Sequence, residues 1–151
     1  MAKTEKKKES KEGIVLKNYH LEPLSRWLNL PLHGEQSRVR TRTLRVIAPL
    51  MDDKETERLK IATECADKDE KGVAIMENEG RNFKFSGDAS ERFFKGYNDL
   101  QNADVTLDMT ETLKKDLPVL RTIIKNFNPP AGFSGEDGEF YEQVCTAFGI
   151  E

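Results

Sequence analysis

Five stretches of the chain carry apolar residues at the three- and four-residue spacing of an amphipathic helix, and this pattern constrains the fold most. Between them lie short segments rich in Gly, Pro, Asn and Asp, which are typical of turns. A chain so punctuated predicts separate helices that pack their apolar faces together. The predicted helices lie at about residues 20–30, 36–68, 88–100, 110–126 and 134–148.

Proline and glycine indicate where these helices end or bend. The segment from Pro31 to Gly34 ends the first helix, so the first two helices form a predicted antiparallel helical hairpin. Pro49 lies inside the second helix and cannot donate a backbone hydrogen bond, which predicts a kink or a break there. Pro118 predicts a kink in the fourth helix, or a start of that helix near Asp116.

Shorter stretches follow the two-residue period of a β-strand. Residues 73–77 and 82–86 flank a glycine-containing turn and predict a small β-hairpin. Residues 105–109 predict a short strand, and residues 13–16 are either a strand or the lead into the first helix. The predicted fold class is α+β and predominantly helical. It comprises the N-terminal helical hairpin, a small β-hairpin or sheet, and two to three C-terminal helices.

Length and composition indicate one domain preceded by an arm. The chain has 151 residues, which suits a single compact domain, predicted at residues 13–151. Residues 1–12 contain five Lys and three Glu, and we expect a flexible charged arm there.

The charge of the chain is divided along the sequence. The formal net charge is −3, but residues 1–45 carry 11 basic and 5 acidic groups, whereas residues 46–151 carry 13 and 22. The overall charge argues against a general nucleic-acid coat protein. The division favours packing of a positive face on a negative one, in a complex or a homo-oligomer.

Other classes of protein find little support in the sequence. No stretch approaches the roughly 20 apolar residues of a membrane span, and we expect no membrane partner. Cys65 and Cys145 form no C-x-x-C pair, which indicates free thiols in a reducing compartment. Only two histidines are present, so the chain offers few imidazole groups for a proton relay or a metal site. We predict no cofactor.

A cluster of arginines is the most distinctive candidate site. On a helix, Arg38, Arg42 and Arg45 lie within about 60° of one another, while Arg40 projects from a different side. Guanidinium groups bind carboxylates and phosphates in bidentate fashion, so such a stripe suits an acidic protein or a nucleic acid. The arginines could instead pair with the chain's own acids; the last 26 residues, for example, contain five acids and no Lys or Arg. Nucleic acid is the least favoured partner, because no aromatic residue interleaves with the cluster.

The remaining motifs have structural interpretations. Asp67 and Asp69 resemble the start of a calcium loop, but the fifth and twelfth positions hold Lys71 and Asn78, so we expect a helix-to-hairpin connection. Ser134 followed by Asp137 predicts a helix cap. No arrangement of residues nominates a nucleophile or an acid–base pair, which favours a non-enzymatic protein.

Three segments together resemble a known family. They are Leu30–Arg42 (LPLHGEQSRVRTR), Glu64–Gly72 (ECADKDEKG) and Phe133–Tyr141 (FSGEDGEFY), the last followed by a C-x-x-F at Cys145. They occur in this order in a family of small proteins of unknown function from tailed phages and prophages of Gram-positive bacteria. The resemblance covers about residues 13–149. It implies a phage origin and gives no catalytic residue, and it marks Ser37, Arg38, Arg40 and Arg42 as motif positions.

Together these observations predict a non-enzymatic phage protein that acts through protein–protein binding. A virion or tail-module component, or an assembly accessory, is the favoured role, in the host cytoplasm or incorporated in the virion. One alternative is an inhibitor of a host enzyme or anti-phage defence protein. Another is a nucleic-acid-binding module that uses the arginine stripe. The predicted partner-binding residues are Ser37, Arg38, Arg40, Arg42 and Arg45.

Overall fold

The computed structural model describes residues 13–151, which divide into two compact units. The first unit comprises residues 13–50 and Asp104–Glu151, and the second comprises Met51–Ala103. The single compact domain expected at residues 13–151 stays a prediction. The expected charged arm at residues 1–12 lies outside the described residues.

The predominantly helical α+β class is confirmed. The described residues form five helices and four short strands in the order β1, α1, α2, β2, β3, α3, β4, α4 and α5. The helices are α1 (Asn18–Leu28), α2 (Gly34–Cys65), α3 (Ala89–Asn102), α4 (Glu111–Lys125) and α5 (Gly135–Ala147). The strands are β1 (Gly13–Lys17), β2 (Met76–Glu77), β3 (Asn82–Phe83) and β4 (Asp104–Asp108).

In the first unit, β1 and β4 pair as an antiparallel sheet. Ile14 lies opposite Leu107, and both are buried. The next residue along β1, Val15, is exposed, because successive side chains of a strand point to opposite faces of the sheet. The segment at residues 13–16 is therefore a strand rather than a lead into the helix. Gly13 is needed at its start, because a Cβ atom there would lie 2.6 Å from the carbonyl oxygen of Leu107.

The core of the first unit forms around α1. Leu21, Leu24 and Leu28 repeat at helical spacing, and each is at most 1% exposed. Helix α1 packs on α4 and α5, which bury Leu120 and Val144. An aromatic cluster extends this core and consists of Trp27, Phe127, Phe133 and Tyr141.

Pro49 and Pro118 are both accommodated within continuous helices. The predicted alternative of a break at Pro49 is wrong, because α2 runs from Gly34 to Cys65. Pro49 and Arg45 are both exposed, so water can solvate the carbonyl oxygen that lacks its usual donor. The alternative start of α4 near Asp116 is also wrong. That helix begins at Glu111, because the Thr110 side chain accepts a hydrogen bond from the backbone N–H of Leu113 at 3.1 Å.

The second unit contains the predicted hairpin in a shorter form. Met76 pairs with Phe83, and Glu77 pairs with Asn82. The turn places Asn78, Glu79 and Gly80 at positive φ. Beyond these two short strands, the backbone N–H of Lys84 still donates to the carbonyl oxygen of Ile75 at 2.9 Å.

Aromatic stacking holds the hairpin segment to α3 in the second unit. Phe85 stacks on Phe93 with ring centroids 5.0 Å apart, and Phe93 stacks on Tyr97 at 5.9 Å. Phe94, the next residue along α3, is 56% exposed. Leu59 in α2 is also exposed, at 43%.

Candidate functional site

The first turns of α2 bring together most of the predicted partner-binding residues. Positions 38, 42 and 45 follow helical spacing and therefore share one face of the helix. Their side chains surround a shallow depression of about 310 Å³. We call this surface the basic α2 face, and its lining residues are Ser37, Arg38, Thr41, Arg42 and Arg45.

Arg42 is fixed in place by a carboxylate from α4. Its Nε donates to Asp116 Oδ2 at 2.7 Å, and a terminal nitrogen donates to Asp116 Oδ1 at 2.8 Å. The side chain of Asp116 is only 10% exposed. The hydrogen bonds from Arg42 hold the pKa of Asp116 below its ordinary value, against the opposing effect of burial. This bidentate pair fixes the orientation of one guanidinium group at the centre of the face.

Arg38 and Arg45 differ from Arg42 because they have no such partner. Both are exposed, and neither makes a side-chain hydrogen bond or an ion pair with any of residues 13–151. Arg42 thus makes the internal pairing that the sequence left open, whereas the acids of the C-terminal segment do not reach Arg38 or Arg45. Among these acids, Asp137 instead pairs with Arg26 at 3.7 Å. The basic α2 face therefore offers two unneutralised guanidinium groups on either side of a fixed one.

Arg40 projects from a different side, as its position on the helix predicts. It donates to the carbonyl oxygens of Leu28 at 3.2 Å and Leu30 at 2.5 Å, and to Ser37 Oγ at 3.3 Å. These carbonyls lie at the end of α1, where backbone acceptors lack helical donors. Arg40 therefore holds the connection between α1 and α2. Binding of a partner by Ser37 and Arg40 stays a prediction.

A buried polar cluster in the first unit escaped the sequence reasoning. His20 is 5% exposed, and its Nδ1 accepts the backbone N–H of Lys17 at 3.0 Å. Its Nε2 therefore carries the proton and donates to Gln143 Oε1 at 2.7 Å, which also accepts from Tyr19 Oη at 3.1 Å. Burial lowers the pKa of His20 from its ordinary value of 6.5. The cluster joins α1 to α5, and no local motif marks it because its members lie 123 residues apart.

The aromatic side chains of the motif segment Phe133–Tyr141 pack within the first unit. Tyr141 donates its hydroxyl to the carbonyl oxygen of Ile124 at 2.5 Å and stacks on Phe133 with centroids 4.6 Å apart. Burial raises the pKa of Tyr141 to about 12 and also raises the pKa of Cys145. A thiol with a raised pKa is a poor nucleophile at neutral pH. Ser134 takes the predicted N-cap position, but its side chain makes no capping hydrogen bond.

No family model, curated protein or solved structure matches this chain.

The acidic connection after α2 uses its carboxylates within the loop. Asp69 Oδ1 accepts the backbone N–H groups of Lys71 and Val73 at 2.8 and 3.0 Å. Asp67 accepts the backbone N–H of Ser86 at 3.1 Å and its hydroxyl at 2.5 Å. Across residues 13–151, no group of three or more His, Cys, Asp or Glu side chains is placed to hold a metal ion. Within the same part of the chain, no helix has both the length and the apolar character needed to cross a bilayer.

Proposed function

We propose that the protein is a non-enzymatic binding protein whose basic α2 face docks on an acidic surface of a partner protein. The observation that carries this proposal is the exposure of Arg38 and Arg45, unpaired within residues 13–151, beside an Arg42 held by Asp116. Guanidinium groups recognise carboxylates through two parallel hydrogen bonds, which gives geometric specificity as well as attraction.

The organisation of the face supports binding to a protein. Arg42 loses little rotamer freedom on binding, because the Asp116 carboxylate has already ordered it. No aromatic side chain lines the depression, so the stacking on which single-stranded nucleic acid depends has no platform there. Two unpaired cations provide a small electrostatic footprint for a phosphate backbone.

Within this proposal, the favoured role is that of a virion or tail-module component, or an assembly accessory. Its support is the sequence resemblance to small phage proteins, together with the division of charge along the chain. Location in the host cytoplasm or in the virion belongs to the same proposal. Inhibition of a host enzyme or defence protein would use the same face and is distinguished by the identity of the partner.

A capture experiment with a charge-matched control tests the proposal. Immobilised wild-type protein, R38E/R45E and the control K60E/K71E are each incubated with purified virion proteins and with host lysate. Lys60 and Lys71 are exposed residues of the second unit, so the control makes the same change in net charge outside the basic α2 face. We expect wild type and the control to retain one acidic protein and R38E/R45E to lose it.

Two results would contradict the proposal. Recovery of the same partner by R38E/R45E would remove the basic α2 face from the binding mechanism. Duplex DNA binding at about 50 mM salt, with a salt slope that falls by roughly 1 for each arginine removed, would favour the nucleic-acid alternative.

A further inference from the structure

A second surface, in the second unit, has a different chemistry. A groove of about 450 Å³ opens between the C-terminal half of α2, the β2–β3 hairpin and the start of α3. Its apolar lining includes Leu59, Met76, Phe83, Phe85 and Phe93. We call it the aromatic groove.

The groove is apolar and accessible at once. Leu59 and Met76 are 43% and 41% exposed, and they belong to a set of six exposed large hydrophobic residues in the described chain. Four of those six lie in the second unit, the other two of the four being Val73 and Phe94. Of these four, Leu59 and Met76 line the groove, and adjacent exposed apolar side chains are typical of binding surfaces.

The floor of the groove is a stack of aromatic rings. Phe85 and Phe93 stack at 5.0 Å with their planes 23° apart, and Phe93 in turn stacks on Tyr97. Ring ladders of this kind fix the side-chain rotamers, so an incoming apolar group loses little affinity to reordering of the floor.

The charge of the groove indicates what enters it. Two arginines line it and no acidic residue does so among the described part of the chain. Arg58 is already paired with Glu55: its Nε donates to Oε2 at 3.0 Å, and a terminal nitrogen donates to Oε1 at 2.5 Å. Arg81 is exposed, and its side chain makes no hydrogen bond or ion pair within residues 13–151. The groove therefore combines an apolar floor with one unneutralised cation.

We propose that the aromatic groove binds an acidic amphipathic segment of a partner protein. Apolar side chains of that segment contact Phe83, Phe85 and Phe93, and a neighbouring carboxylate pairs with Arg81. The aromatic groove shares no residue with the basic α2 face, so the two proposals can be contradicted independently.

Synthetic peptides provide the probe. The acidic probe is a short fluorescein-labelled peptide with Phe and Asp at helical i, i+4 spacing. In one control peptide Lys replaces each Asp, and in another Ser replaces each Phe. Binding is measured by fluorescence anisotropy, and the site is located from backbone amide shifts in ¹H–¹⁵N spectra of the full chain. We expect only the acidic probe to bind, with the largest shifts at Arg81, Asn82 and Phe83.

Variants of the protein test the two parts of the groove. R81E should lower the affinity for the acidic probe by at least about fivefold, which corresponds to about 1 kcal/mol of binding free energy. R81K should retain most of the affinity. L59D places a charge at the apolar rim of the groove and should also lower the affinity for the acidic probe. K71E, a charge reversal at an exposed residue outside the groove, should bind like wild type, as should R38E/R45E.

Several outcomes would overturn the proposal. Equal affinity for the Lys probe, shifts that map outside the groove, or unchanged binding by R81E would each do so. Concentration-dependent self-association that L59D abolishes would show that a second copy of the chain occupies the groove. If R81E fails to fold, the shift map and the comparison of the three probes on wild type decide the question.

Discussion

Arg42 in α2 holds Asp116 in α4 through two nearly parallel hydrogen bonds of 2.7 and 2.8 Å. The pair does two things at once. It neutralises a buried carboxylate in the first unit, and it fixes the central arginine of the surface that we propose for partner binding.

The first prediction concerns acid stability. The pKa of Asp116 is lower in the folded chain than its ordinary value of 3.8, because Arg42 donates to the carboxylate. The stabilisation is therefore fully present above about pH 4 and is lost as the pH falls through the folded-state pKa. Urea unfolding between pH 2 and 7 should show a steeper loss below about pH 4 for wild type than for D116N, which should be less stable at neutral pH. D52N removes an exposed carboxylate and serves as the control; if its pH profile matches that of D116N, the pair is not the cause.

The second prediction concerns His20. Burial lowers its pKa in the folded state, and its Nδ1 must stay unprotonated to accept the Lys17 N–H. The unfolded chain then binds a proton more readily, so stability should fall as the pH drops from about 6.5 towards the folded-state pKa and level off below it. The slope should not exceed about 1.4 kcal/mol per pH unit, the limit for one proton. Unfolding measured from pH 5 to 8 should show this slope for wild type and for H33Q, whose histidine is exposed, but not for H20Q.

The third prediction concerns the start of β1. A methyl group on Gly13 would lie 2.5 Å from Thr106 Cγ2 and 2.6 Å from the carbonyl oxygen of Leu107. G13A should therefore lower the free energy of unfolding by about 1–3 kcal/mol. G135A is the matched control, because open space surrounds that position at the first turn of α5. It should be neutral, or more stable by up to about 1 kcal/mol, owing to the lower entropy of the unfolded chain. Equal effects of the two substitutions would contradict the strand pairing.

The fourth prediction compares two helix caps. Thr110 accepts a hydrogen bond from the Leu113 N–H, whereas Ser134 occupies the N-cap of α5 without such a bond. T110A should cost about 1 kcal/mol of unfolding free energy, and S134A should cost less. Chemical denaturation of the two variants measures the difference. A larger loss for S134A would mean that its hydroxyl caps α5 in solution.

The sequence predicts what depends on local spacing and fails where distant residues meet. The helices follow from periodic leucines such as Leu21, Leu24 and Leu28, which are all buried. Local alternation predicts a strand at residues 105–109 and leaves residues 13–16 open between a strand and the lead into a helix. The pairing of Ile14 with Leu107, which settles this, leaves no local signal. For the same reason the sequence indicated the face shared by Arg38, Arg42 and Arg45 but not the partner of Arg42, which lies 74 residues away. The predicted break at Pro49 is wrong because the effect of a proline on a helix depends on whether water reaches the carbonyl oxygen that lacks its donor.

The division of labour among the four arginines has an evolutionary consequence. A change at Arg42 that leaves Asp116 in place would strand a buried charge, so those two positions are constrained to change together. Arg40 is constrained by the backbone it holds, whatever the protein binds. Arg38 and Arg45 make no side-chain hydrogen bond or ion pair within residues 13–151 that would constrain them in this way. Substitutions at positions 38 and 45 should therefore cost the fold little, whatever surface the protein presents there.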